Sequence, residues 1–186
     1  MNHFVSKKPL FNDYPSDSEE IIFGAGCFWG VERLFWQLDG VWTTYASYSG
    51  GKKLNPTYEQ VCTGLTGHTE TVNVIFEPKL INIKELMKVF WECHDPTQGN
   101  RQGNDIGSQY RSAIYCKSIK QHEIAIEMKK EFEQALSRAG YNKITTEIKL
   151  NQLNYAAESY HQQYLAKNPN GYCGLKGTGA ICKILP

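Results

Sequence analysis

Residues 20–31 read Glu20-Ile21-Ile22-Phe23-Gly24-Ala25-Gly26-Cys27-Phe28-Trp29-Gly30-Val31. Glu20 to Phe23 is a short, mostly apolar run that reads as a buried strand. It passes through Gly24-Ala25-Gly26 to Cys27 and then into helical spacing. Phe28, Val31, Leu34, Phe35 and Leu38 recur at three- and four-residue steps, and Asp39-Gly40 closes the helix. A strand therefore feeds a helix through glycines, with a cysteine at the junction.

The pattern extends outward from this junction. Val41 to Ser49, rich in aromatic and β-branched residues, predicts a strand, and Gly50-Gly51 a turn. Asn55-Pro56 opens a short helix that runs to about Cys62. Thr69 to Phe76 alternates, with Val72, Val74 and Phe76 on one face, and the same alternation puts Glu70 on that apolar side. Asn82 to Glu85 has the form of a capping box and starts a helix that ends near Cys93. Residues 94–109 form a long loop rich in Gly, Asn and Gln, and long loops inside compact domains are often functional. Tyr110 to Cys116 predicts a strand. Ser118 to Gln121 is a second capping box, followed by the longest helix, with Ile124, Met128, Phe132 and Leu136 facing inward. Ile144 to Leu150 predicts another strand, and Tyr155 to about Lys167 a last helix.

Helices and strands are mixed without strict alternation, and hairpin-like pairs stand beside crossovers. The expectation is an α+β fold: a two-layer sandwich with a mixed β-sheet packed against helices, and a flexible glycine-rich C-terminal tail. Residues 1–19 read as an irregular N-terminal leader. Residues 20–186 read as a single catalytic domain that includes the tail, about 168–186, with Cys173 and Cys182.

The chain has 186 residues, enough for one domain with a continuous core. Twenty basic and 19 acidic residues leave a net charge of +1, which gives no electrostatic case for nucleic acid or a membrane surface. The longest apolar stretch, Ile21 to Val31, falls short of the roughly 20 residues that span a bilayer. The start of the chain is polar, without the apolar stretch of a signal peptide, so a cytoplasmic location is expected. Six cysteines occur: Cys27, Cys62, Cys93, Cys116, Cys173 and Cys182. A chain this long needs no disulfide staples, and neither a Cys-x-x-Cys pair nor a His-Glu-x-x-His motif occurs, so no metal is expected.

Cys27 sits at a helix mouth, where free N–H groups and the positive end of the dipole favour a thiolate. The dipole is worth about 0.3–1 kcal/mol, roughly half a pKa unit. That leaves a thiol near ~8, still mostly protonated at neutral pH. A second group must supply the remainder, and a substrate that accepts a proton can do so. Phe28 and Trp29 point in different directions on a helix, so at most one is pure core and the other can line a pocket beside the sulfur.

Gly26-Cys27-Phe28-Trp29-Gly30 resembles the signature of the peptide methionine sulfoxide reductase A family. The likeness continues through Gly50-Gly51, Asn55-Pro56-Thr57-Tyr58, Gly67-His68-Thr69-Glu70 and His94-Asp95-Pro96. It goes on through Gln102-Gly103-Asn104-Asp105, Gln109-Tyr110-Arg111-Ser112, His161-Gln162-Gln163-Tyr164 and Gly171-Tyr172-Cys173-Gly174. It covers about residues 20–182, in order.

The resemblance implies reduction of methionine S-sulfoxide, free or in oxidised proteins, back to methionine, as repair after oxidative damage. It makes Cys27 the nucleophile on the sulfoxide sulfur and Glu70 the acid that protonates the oxygen. It makes Tyr58 and Tyr110 hydrogen-bond donors to that oxygen, and Asp105 a residue that orders the site. Phe28 and Trp29 would cradle the substrate methyl group. His161 lies in a matching motif without a defined role. Cys27 would become a sulfenic acid that Cys173 condenses with, and Cys182 would then take over Cys173 in an accessible disulfide on an exposed tail. Thioredoxin or dithiothreitol would supply electrons, with no cofactor and no metal, and the enzyme would act as a monomer.

Taken singly, Glu70, Tyr58, Tyr110 and Asp105 are ordinary strand, cover and turn residues, and only the ordered set gives them roles. Cys62, one helical turn past Tyr58, is the rival resolving thiol. Two other functions compete: a Cys–His acyl-transfer hydrolase using Cys27 with His68 or His161, and a non-catalytic binder of oxidised methionine peptides.

Overall fold

The computed structural model describes residues 1–183. The last three residues of the expected tail, 184–186, lie outside the described residues. In chain order the elements are β1 (Glu19–Gly24), α1 (Phe28–Trp36), β2 (Val41–Ser49), α2 (Tyr58–Cys62), β3 (Thr69–Phe76) and α3 (Ile83–Cys93). There follow β4 (Arg101–Gln102), β5 (Asp105–Ile106), β6 (Ala113–Cys116), α4 (Ile119–Arg138), β7 (Glu147–Leu150), β8 (Asn154–Ala156) and α5 (Tyr164–Lys167). Six strands form one sheet in the order β7-β6-β1-β3-β2-β8. All neighbours are antiparallel except β6 and β7, which are parallel and joined by the crossover helix α4. The mixed sheet and its helical layer agree with the α+β expectation.

Strand β3 lies between β1 and β2 and is buried along its whole length. Its two faces differ in chemistry. Val72, Val74 and Phe76 join Phe23 of β1, Phe35 of α1, Phe90 and Trp91 of α3, and Phe132 of α4 in one apolar cluster. Each large side chain taken out of water there contributes roughly 1.5–3 kcal/mol. Phe23 stacks between Phe35 and Phe90 at 4.9 and 5.0 Å. The opposite face is polar but satisfied. Thr71 shares hydrogen bonds with Ser47 and Ser49 of β2, and Asn73 bonds Ser47 and Asn154.

The helix starts follow their capping chemistry, with two adjustments. Asn82 and Glu85 form the complete capping box of α3. Ser118 caps α4, but Gln121 reaches past it to accept from the Lys117 N–H. Helix α2 begins later than expected, because Asn55 takes a positive φ of 45° and Thr57 provides the cap, boxed with Gln60. Tyr110 stands in a 3-10 turn, so β6 starts only at Ala113, and β7 starts at Glu147 rather than Ile144.

The expected helix over 155–167 is the main correction. Asn154–Ala156 is instead a strand added to the edge of β2. Residues 159–163 turn, Gln163 adopts a left-handed φ of 47°, and only Tyr164–Lys167 is helical. The side chain of Gln162 explains the break. Its carbonyl accepts the Ala46 N–H at 2.8 Å and its amide donates to Ala46 O at 2.9 Å and Ala157 O at 2.8 Å. This arrangement rewards a turn against β2 over a free helix.

The leader is irregular but packed. Leu10 and His3 are buried, and the Phe4 N–H donates to Gln163. No described helix is long and apolar enough to cross a membrane.

Candidate active site

Cys27 caps the N-terminus of α1 with non-helical φ and ψ of −54° and 121°. Gly26 makes the turn out of β1 at φ 91°, and a Cβ there would come within 2.8 Å of Gln102. Both facts require glycine next to the cysteine.

Glu70 stands on β3, one strand away, and is buried. Its Oε2 accepts the Phe28 backbone N–H at 3.0 Å. Burial pushes its carboxyl up to about 8; the Phe28 N–H pulls it down and Asp105 adds to the rise. Glu70 is therefore mostly protonated at pH 7. Burial also drives the Cys27 thiol well above its usual range, with Glu70 next in effect and the backbone at Trp29 opposing. Desolvation outweighs the helix mouth, so the free enzyme holds a neutral thiol beside a neutral acid.

The other expected residues surround this pair. Phe28 is fully buried, while Trp29 is half-buried. Trp29 stacks on Tyr164 at 3.9 Å and donates its indole N–H to His161 Nδ1 at 3.1 Å. The His161 ring lies 4.9 Å from Phe28 and 4.6 Å from Tyr58. Because Nδ1 accepts, the proton of neutral His161 belongs on Nε2, a buried atom without a hydrogen-bond partner among the described residues. Burial holds this histidine below its usual pKa, with Glu158 opposing. Tyr58 and Tyr110 are both raised, first by burial, and both feel the Glu70 charge. Asp105 accepts from the Tyr172 hydroxyl at 3.2 Å.

The tail brings Cys173 to the same place. A Cβ on Gly30 would lie 2.8 Å from Cys173 Sγ, so the thiol rests against the first turn of α1. Cys182 is different. It is fully buried in the main core rather than exposed, and its N–H donates to Glu92 of α3 at 2.8 Å. Burial, then Glu92, pushes its thiol up to about 11. Cys62 is exposed and lies close enough to the Tyr58 hydroxyl to affect its titration. All six cysteines are free thiols.

The site thus gathers Cys27, Glu70, Tyr58, Tyr110, Asp105, Phe28, Trp29 and Cys173, and leaves Cys182 apart. Three acidic or aromatic supports had no role from sequence: Glu158 and Glu32, which were missed, and Tyr164, which entered only as part of the His161 motif. All three depend on the 158–164 segment, which reading it as a helix conceals. Glu32 is fully buried on α1 and accepts from the Gln163 N–H at 2.7 Å and its amide at 2.6 Å. A charged residue on the apolar face of α1 was the available signal.

Comparison with known proteins accords with this geometry. The family model for peptide methionine sulfoxide reductase matches residues 19–184. The chain belongs to the peptide methionine sulfoxide reductase family. A relative named peptide methionine sulfoxide reductase MsrA 2, from Nostoc sp., is 57% identical over 98% of this chain and 82% of its own. Methionine sulfoxide reductase A of Corynebacterium diphtheriae superposes with a TM-score of 0.87 at 43% identity, over 99% of this chain and 89% of that one. Mxr1 from Saccharomyces cerevisiae in reduced form gives 0.80 at 35% identity, over 89% of this chain and 96% of that one. The same yeast protein in complex with Trx2 shares the fold at 0.60 and 21% identity, over 90% and 94%. The reductase is an oxidoreductase that returns methionine sulfoxide to methionine, of the peptide-methionine (S)-S-oxide reductase class. This assignment sets aside the hydrolase and the non-catalytic binder.

Proposed function

We propose that this reductase works through Cys27, Glu70 and a thiol relay. The observation that carries the reading is Glu70, buried, held up to about 8 and hydrogen-bonded to the N–H next to Cys27. A sulfoxide whose oxygen reaches Glu70 takes its proton as the Cys27 sulfur attacks the sulfoxide sulfur. The Cys27 thiol proton restores Glu70, the S–O oxygen passes to Cys27 as a sulfenic acid, and methionine leaves. Tyr58 and Tyr110 donate hydrogen bonds to the oxygen in flight. Their raised pKa values keep both hydroxyls protonated for that task. Phe28 and the Trp29 face receive the S-methyl end, and Asp105 orders the mouth through Tyr172.

Cys173 Sγ then attacks the sulfenic sulfur, its thiol proton leaves with the sulfenic hydroxyl as water, and the Cys27–Cys173 disulfide forms. Its place against Gly30 supports this order over Cys62. Cys182 attacks Cys173 and frees Cys27, and a dithiol reduces the last disulfide. The burial of Cys182 requires the tail to leave α3 for that exchange. We take the reductant to be thioredoxin, on the analogy of yeast Mxr1 bound to Trx2. Such a relay needs no cofactor and suits a reducing, cytoplasmic setting. Substrates would be oxidised proteins and free methionine sulfoxide.

The test is loss of sulfoxide from one defined epimer with thioredoxin as electron source. Wild type should consume the S epimer only. Cys27→Ser should be inactive, and Cys173→Ser should stop after one turnover. Steady-state activity of Cys27→Ser with dithiothreitol would overturn the scheme.

A further inference from the structure

Tyr58 is the first residue of a five-residue helix, too short to fix its own direction. Its anchor lies elsewhere in the chain. Glu158 Oε1 accepts the Tyr58 N–H at 2.9 Å, and Glu158 Oε2 accepts the Tyr48 hydroxyl at 2.7 Å. Tyr48 is fully buried on β2 and is the direct cross-strand partner of Glu70. One carboxylate therefore ties the strand pair that carries Glu70 to the residue that opens α2. The same Oε2 lies 4.0 Å from His161 Nε2, the nitrogen that bears the proton.

Burial works against the charge on Glu158. The Tyr48 hydroxyl and the Tyr58 N–H outweigh it, and the carboxyl is held below the usual range. Glu158 is thus an ionised acceptor at neutral pH, and its hydrogen bonds are charge-assisted and directional.

We propose that Glu158 is a positioning residue for sulfoxide reduction, holding Tyr58 where its hydroxyl can bond the sulfoxide oxygen over Glu70 and Cys27. The inference rests on the reading above, in which Tyr58 donates to that oxygen. It adds no chemistry of its own, since Glu158 has both oxygens committed to Tyr48 and Tyr58. Displacement of a reacting group by about 1 Å can cost on the order of 100-fold in rate.

A double-mutant cycle separates positioning from general stabilisation. The readout is the single-turnover rate of sulfoxide reduction, measured in wild type, Glu158→Ala, Tyr58→Phe and the double variant. Glu158→Ala should lower the rate about 10- to 100-fold. In the Tyr58→Phe background the same change should cost less than about threefold, because its effect passes through the missing hydroxyl. Glu158→Gln, which keeps one acceptor and the side-chain shape, should fall between and serves in the same cycle if the alanine variant does not fold. Reduction of the oxidised enzyme by dithiothreitol should stay unchanged in all of them. An equal fold-loss in both backgrounds, or a wild-type rate for Glu158→Ala and Glu158→Gln, overturns the proposal while leaving the role of Tyr58 intact. A wild-type rate for Tyr58→Phe overturns the role of Tyr58 and this proposal with it.

Discussion

Glu70 accepts the N–H of Phe28 across 42 positions of chain, and so occupies the helix mouth that Cys27 caps. The residue that could have repelled a thiolate is instead a buried acid raised to about 8, and in the proposed scheme it carries the proton the sulfoxide needs. The cysteine and its acid are neutral together until substrate arrives.

That pairing fixes the pH behaviour. With its carboxyl at about 8, Glu70 should lose its proton as pH rises through that value, and the first step should slow accordingly. Glu70→Gln should be slower by about 10²–10⁴-fold and lack that alkaline limb. Stability carries the same signature. A carboxyl raised on folding stabilises fully below its unfolded pKa, near about 4.5, and the benefit is lost as pH rises through the folded value of about 8. Glu32, raised to about 7, acts in the same direction. The difference in melting temperature between wild type and Glu70→Gln, followed from pH 4 to 9, isolates Glu70. A difference independent of pH would remove it as a buried acid.

Gly30 leaves space for the Cys173 thiol. Gly30→Ala places a methyl 2.8 Å from Cys173 Sγ and should push the tail off α1. Sulfenic acid formation should proceed at nearly its normal rate, while closure of the Cys27–Cys173 disulfide slows about tenfold or more, as for a misplaced reacting group. Rapid-quench mapping of the sulfenic acid and disulfide reads both steps, and an unchanged closure rate would refute the contact.

The cysteines should differ sharply in access. In the reduced protein Cys62 should alkylate first, because it is the exposed thiol, and Cys116 and Cys182 last, because both are buried. Glu92→Ala removes the acceptor of the Cys182 N–H and should raise the labelling rate of Cys182 severalfold without changing Cys116. Peptide mass mapping after timed alkylation measures each site. Equal labelling of Cys182 in wild type and Glu92→Ala would show that core packing alone holds the tail.

Glu32 is a structural acceptor inside the core. Glu32→Ala strands the buried Gln163 N–H and takes one partner from the Gln163 amide, which keeps Thr44 O, and from the Thr44 hydroxyl, which keeps His3. A loss of about 1–3 kcal/mol is expected in urea unfolding, the cost of one buried donor left without an acceptor. A loss below about 1 kcal/mol would mean that these groups find other partners.

Sequence periodicity carried much of the architecture, and its failures are local. The spacing across residues 20–38 predicts β1 and α1, and the alternation of β3 puts Glu70 on the buried face where it stands. The 155–167 segment misled because Tyr155, Glu158 and the glutamines have adequate helical propensity. Its turn is imposed by Gln162 on Ala46 and Gln163 on Glu32, contacts more than 100 positions apart. The burial of Cys182 was equally invisible, since glycines around a cysteine read as freedom when the core partner, α3, lies far upstream. Long-range contacts, not local preference, decided both.

The grip of Gln162 on Ala46 has one more effect. Beyond its three-residue pairing with β8, strand β2 would present open backbone groups along the sheet edge. The Gln162 side chain takes the Ala46 N–H and shares the Ala46 carbonyl with the Ala157 N–H, and Gln163 takes Thr44 O. At these positions the β2 edge therefore offers an incoming extended segment few unpaired backbone groups to template on.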